Sequence, residues 1–192
     1  LVTITESMLN NILRQILLEF PQKIPSKKKI EIETILSCNS VDQIKINIVD
    51  NILNEFAYKS PKDYALEFNQ YTGINLLENP IYHKFIELKA TRDIHIHNNG
   101  MANDIYIAKA GPLSRVKPNF YLPITLHYFL QMYEQCLQLN ESLEIALDKI
   151  WPSQTFRSRA SNGVDLNKEK AVKEEIEKSK QIDEIIDKQT VD

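Results

Sequence analysis

Four glycines in 192 residues leave little material for turn-dense all-β architecture or for a glycine-rich phosphate loop. Both need backbone at positive φ or close approach of the chain to a ligand. Cysteine is scarcer still. Cys38 and Cys136 stand far apart in no paired spacing of the metal or redox kind, which argues against a disulfide framework and fits reduced thiols in the cytosol. Nor is there an excess of positive charge: 23 Lys and Arg stand against 26 Asp and Glu, a net charge of -3. No global basic field draws such a protein onto nucleic acid or an anionic membrane, so any RNA contact must be local. Uninterrupted apolar stretches fall far short of the roughly 18 residues that span a bilayer, and the opening LVTITESMLNN lacks the basic-then-apolar order of an export signal. The expectation is a cytoplasmic protein with no membrane association. A first residue of Leu in place of Met leaves processing, or excision from something longer, open.

What is present is ordinary for a globular domain with its own core, 43% apolar and 26% charged residues. Helix is the leading class. Leu9, Ile12, Leu13, Ile16, Leu17 and Phe20 recur at spacings of three and four, predicting a helix over 4–20 with Thr3 and Glu6 as a capping box and Pro21 as its stop. The piece from Ile30 to Leu36 suits helix or strand equally. A second helix is predicted over 40–58, capped by Ser40, and a third from Ser60-Pro61-Lys62-Asp63 to Gly73. Asn79-Pro80 opens a fourth, which runs to about Asn99-Gly100. Residues 101–117 read as weakly helical around Ile105, and a long helix follows over 123–151, with Asn140-Glu141 as a place to kink or split. After Pro152 the chain turns charged, with Ile176, Ile182, Ile185 and Ile186 as sparse anchors. The expected organisation is an all-α bundle of about five helices over 1–152 and a charged, partly helical linker and tail over 153–192. No internal repeat is visible.

The residues that invite chemistry lie at the predicted end of the fourth helix: Thr91-Arg92-Asp93-Ile94-His95-Ile96-His97-Asn98-Asn99-Gly100. A helix terminus offers side chains to solvent and partners. Arginine carries a permanently charged fork matched to phosphate oxygens, and histidine is the residue type suited to proton transfer at neutral pH. Together they form a minimal phosphodiester toolkit.

Arg92, the polar Asp93, three further residues and then His97, closing a helix and followed by Asn-Asn-Gly, resembles the signature of HEPN domains, a family of small helical RNases. The resemblance covers roughly residues 4–151. It implies an all-α HEPN-like bundle with a metal-independent endoribonuclease activity on single-stranded RNA, in which the ribose 2′-hydroxyl attacks its own phosphate. It further implies His97 as the proton-transfer residue, Arg92 as the stabiliser of phosphate charge and Asp93 as the group orienting either. His95, Asn98 and Asn99 rank behind them as substrate-binding candidates. No cofactor is implied. Arg92 and His97 differ by five positions, about 140° around an ideal helix after one full turn, and the family meets this by pairing two chains, so a homodimer is expected. A toxin or phage-defence setting, with an antitoxin or effector partner protein, comes with the family. Many HEPN toxins carry a tyrosine two residues after the histidine, where this chain has Asn99, so regulation through that residue is not expected. The alternative is a catalytically silent HEPN module that binds a nucleotide, RNA or a protein.

Plainer readings compete. His95-Ile96-His97 also resembles the His-any-His pair of metal-dependent amidohydrolases, but only His83 and His127 remain as further histidines and the flanks read as helix, so no metal site is expected. His97 could serve simply as a cation at a helix C-terminus. Arg92 could be an ordinary surface ion pair with Asp93 or Glu87. Lys27 to Lys29, Arg115, Lys117, Arg157 and Arg159 read as solvated links, and the helical aromatics as core.

Overall fold

In the computed structural model of the chain, residues 1–26 and 28–151 are described; the expected tail at 153–192, with Arg157 and Arg159, and Lys27 lie outside them. Those residues form seven α-helices: α1 (Val2–Glu19), α2 (Ile32–Leu36), α3 (Val41–Ala57), α4 (Pro61–Thr72), α5 (Pro80–His97), α6 (Asp104–Ala110) and α7 (Leu126–Ile150). The five long ones coincide with the five predicted from periodicity. The two additions, α2 and α6, are one- or two-turn pieces in segments whose pattern was ambiguous or weak. Among the described residues the sole extended pairing is an isolated bridge between Met101 and Tyr121, and no helix is long and apolar enough to cross a membrane.

Local signals set most boundaries. Ser40 Oγ accepts from the Gln43 N–H at 3.1 Å and Ser60 Oγ from the Asp63 N–H at 3.2 Å, while Asn79 Oδ1 accepts from Ile81 at 2.9 Å. Gly73 closes α4 at φ 78°, where a Cβ would be strained. The start of α1 departs from expectation. The helix begins at Val2 with no side-chain cap, Thr3 lies inside it, and Glu6 forms an ion pair with Lys89 of α5 in place of reaching back to its own helix start.

The chain divides into two compact units, Leu1–Leu122 and Pro123–Asp192. In the first, α1 supplies the central apolar face. Leu13, Ile16 and Leu17 are wholly buried, as are Val49 of α3 and Ala65 and Phe68 of α4, with Phe56 set edge-on to Tyr64 at 5.1 Å. Burying each large aliphatic side chain stabilises by about 1.5–3 kcal/mol, so this face outweighs the poor helix propensity of the β-branched residues in α3. A satellite cluster forms beyond it from Ala90 and Ile94 of α5, Tyr106 and Ala110 of α6, and Ala102 and Leu122 outside the helices. Two alanines, Ala90 of α5 and Ala110 of α6, let these helices approach closely. The return segment is tied back by Ala102 N–H to the Phe120 carbonyl at 2.9 Å and Leu122 N–H to the Gly100 carbonyl at 2.8 Å. The C-terminal half of α5 is thereby held from two sides.

In the second unit, α7 starts at Thr125, whose hydroxyl accepts from the Tyr128 N–H at 3.1 Å. It runs unbroken for 25 residues through Asn140 and Glu141, with no split there. Its buried positions, Tyr128, Met132, Leu139, Leu143 and Leu147, lie four or seven residues apart, along one face.

Candidate active site

α5 stops because Asn98-Asn99-Gly100 supplies the backbone that a helix terminator needs. Asn99 and Gly100 take φ of 50° and 76°, both left-handed. The N–H groups of Asn98 and Gly100 both donate to the Ile94 carbonyl, at 2.9 and 3.1 Å, and the Asn98 side-chain amide donates to the Met101 carbonyl. Glycine is required at 100 for a second reason. A Cβ there would stand 2.5 Å from Cε2 of Tyr121 and 3.1 Å from Cε1 of His95.

His95 belongs to the same closure. Its Nε2 lies 2.8 Å from the Leu122 carbonyl, and since a carbonyl can only accept, Nε2 carries the proton and donates. The ring stands edge-on to Tyr121 at 5.9 Å. Of the three residues expected to bind substrate, His95 and Asn98 thus each commit a polar group to the turn, and Asn99 is exposed in left-handed backbone.

Arg92, Asp93 and His97 sit on the last two turns of α5. The Arg92 side chain is 49% exposed, and its Nη1 donates to Asp93 Oδ1 at 3.2 Å. The other oxygen of Asp93 accepts from Lys109 Nζ of α6, also at 3.2 Å. One carboxylate therefore separates two cations, leaving a local excess of one positive charge at the surface. His97 is exposed and forms no hydrogen bond or ion pair among the described residues. No bond joins Arg92 to His97 or Asp93 to His97, so of the two groups Asp93 was expected to orient, only Arg92 is in contact with it.

Behind this surface lies a buried polar network. Glu87, its side chain only 4% exposed, accepts at Oε1 from Thr91 Oγ1 (2.7 Å), Tyr106 OH (3.0 Å) and Arg115 Nε (3.1 Å). Arg115 also donates through Nη2 to Thr91 Oγ1 at 3.2 Å and through its backbone N–H to Tyr106 OH at 3.1 Å. Burial raises the Tyr106 pKa, with the Glu87 charge adding to it and the bond from Arg115 opposing, so the hydroxyl stays neutral and free to donate. Glu87 is thus the buried partner of Arg115, not a surface partner of Arg92. The network pins the 111–117 segment to α5 one turn before Arg92.

Lys109 and Arg115 are the two residues whose part here the sequence did not disclose. Each meets its carboxylate across 16 and 28 residues, through helix packing with no local spacing signal. Among the described residues no group of three or more His, Cys, Asp or Glu side chains is placed to hold a metal ion, and His83 donates through Nε2 to the Leu77 carbonyl, 2.9 Å away. Compared with family models, curated proteins and solved structures, the chain matches none.

Proposed function

We propose that this chain is a HEPN-like, metal-independent endoribonuclease that cleaves single-stranded RNA by attack of the ribose 2′-hydroxyl on the adjoining phosphate. The observation that carries the reading is the pairing of an exposed guanidinium, Arg92, with an exposed and unbonded imidazole, His97, on the terminal turns of one firmly held helix. In the reaction the bond from the 2′-oxygen to phosphorus forms as the bond to the 5′-oxygen breaks. His97 takes the 2′-hydroxyl proton and, as the imidazolium, gives it back to the departing 5′-oxygen, and the products are a cyclic phosphate and a 5′-hydroxyl. Arg92 steadies the charge that gathers on the phosphate oxygens.

The active form in this reading is a homodimer in the cytoplasm, because two side chains about 140° apart on one helix converge on a single linkage more readily when a second copy closes the groove. A toxin or phage-defence role, restrained by an antitoxin or effector partner protein, follows from the same resemblance.

The test is incubation of the purified protein with single-stranded RNA in the presence of chelator. Cleavage to cyclic-phosphate ends that is lost in Arg92→Ala and His97→Ala supports the enzyme. Intact RNA with retained binding assigns the chain to the alternative, a silent HEPN module that holds a nucleotide, RNA or protein.

A further inference from the structure

Asp93 is the most informative residue outside the arginine and histidine, because it is bonded on both sides. Oδ1 accepts from Arg92 of its own helix and Oδ2 from Lys109 of α6, each at 3.2 Å, and its side chain is 25% exposed against 49% and 40% for the two cations. A surface pair of this kind adds little to stability, so folding energy gives little reason for the arrangement.

The backbone fixes it all the same. Asp93 precedes Ile94 and Lys109 precedes Ala110, and both of those neighbours are 5% exposed in the same buried cluster. The two chain segments that carry the ion pair are therefore anchored one residue away on each side. The backbone that carries both groups is thus set before a ligand arrives, which lowers the ordering that binding requires.

From this we infer that Lys109 is a second phosphate-binding cation of the candidate site, meeting a backbone phosphate of the RNA next to the one that Arg92 engages, with Asp93 setting the separation of the two. The inference rests on the nuclease reading for the identity of the ligand as RNA. Lysine suits the role as a compact point charge with three donors and a flexible stem, while the planar fork stays with Arg92 at the reacting phosphate. The surface then offers two donor groups with a net excess of one positive charge, and the carboxylate between them keeps both from closing on the same phosphate.

The experiment uses the full chain and a 2′-O-methyl RNA oligonucleotide, which lacks the attacking hydroxyl and stays intact, and measures binding between about 50 and 200 mM salt. Each phosphate contact on a single strand contributes about 0.7 to the slope of log affinity against log salt. Lys109→Gln is expected to lower the slope by about that amount and to reduce cleavage of ordinary RNA, while Lys109→Arg restores both. Circular dichroism of both variants establishes that the fold is kept. An unchanged slope in Lys109→Gln overturns the inference, even where the wild-type protein cleaves RNA and the nuclease reading stands. A wild-type protein that leaves ordinary RNA intact while Lys109→Gln still loses slope overturns the nuclease reading and keeps Lys109 as a phosphate contact.

Discussion

Nε2 of His95 donates to the carbonyl of Leu122 at 2.8 Å, whereas the imidazole two residues further on, His97, has no bonded partner among the described residues. Two histidines only two residues apart in sequence thus occupy different physical situations. His95→Ala removes a ring packed on Tyr121 and leaves a carbonyl unmet, for an expected loss of about 1–2 kcal/mol. His97→Ala should change stability by less than about 0.5 kcal/mol, because nothing in the fold rests on it, yet abolish RNA cleavage. Urea unfolding alongside single-turnover cleavage checks both halves. A His97→Ala protein that is markedly less stable would show that the ring is a structural part of the helix end.

Gly100→Ala should be among the most damaging small changes in the chain. The new methyl group meets a left-handed backbone at φ 76° and the Tyr121 ring at 2.5 Å. Strain of about 1–3 kcal/mol is expected, and it falls at the turn that ends α5. The companion variant Gly100→Ala/Tyr121→Ala relieves the ring clash and leaves the backbone term. Partial recovery of the thermal midpoint in the double variant is the expected result.

Removal of the Glu87 carboxylate leaves the Arg115 guanidinium without the anion around which the network is built. Glu87→Ala is expected to destabilise by about 3 kcal/mol, the low end of the range for a broken buried pair, since the Arg115 side chain is 26% exposed and water can reach it. Glu87→Gln keeps the shape and an acceptor and should cost less. Chemical denaturation orders the three proteins, and equal stability of Glu87→Ala and wild type would refute the structural role given to the network.

Start and stop signals were readable because they act over three or four residues. Ser40, Ser60, Asn79 and Gly73 occupy the capping positions their types predict. The Thr3 and Glu6 box was equally plausible as local sequence and did not form, since Glu6 finds Lys89 of another helix. The same limit governs the site. Arg92 and His97 stand out in the sequence by type and spacing, but the partners that hold the neighbourhood together, Lys109 for Asp93 and Arg115 for Glu87, are brought in by α6 and the segment after it. α6 has seven residues and a weak apolar pattern, so its packing, and with it the second cation, depends on tertiary contacts with Ala90 and Ile94.

Alkaline pH should unfold the protein through its tyrosines. Burial raises the pKa of Tyr64, Tyr71, Tyr82 and Tyr106 above the ordinary value, with nearby acidic groups adding in each case. An unfolded tyrosine loses its proton near pH 10, while these four keep theirs in the fold. Their contribution is therefore complete below about pH 10 and declines as pH climbs through the folded values. The phenolate absorbance of the buried tyrosines should rise together with the loss of helical circular dichroism. Complete ionisation of all eight tyrosines before any helix is lost would contradict their burial.

On the nuclease reading proposed above, Asp93→Asn separates holding RNA from aligning it. The amide keeps the size of the side chain and one acceptor oxygen but removes the charge that draws Arg92 and Lys109 from opposite sides. Stability should shift by less than about 1 kcal/mol, as for other exposed pairs. Affinity for the 2′-O-methyl oligonucleotide should be kept or increased, because one negative charge beside the bound phosphates is gone. Cleavage should fall by about tenfold or more, since an arginine displaced by even an ångström no longer meets the developing charge. Single-turnover rates at saturating RNA, set against equilibrium binding, provide the measurement. Loss of binding in proportion to loss of cleavage would mean that Asp93 acts on the substrate itself, and the orienting role assigned to it would be wrong.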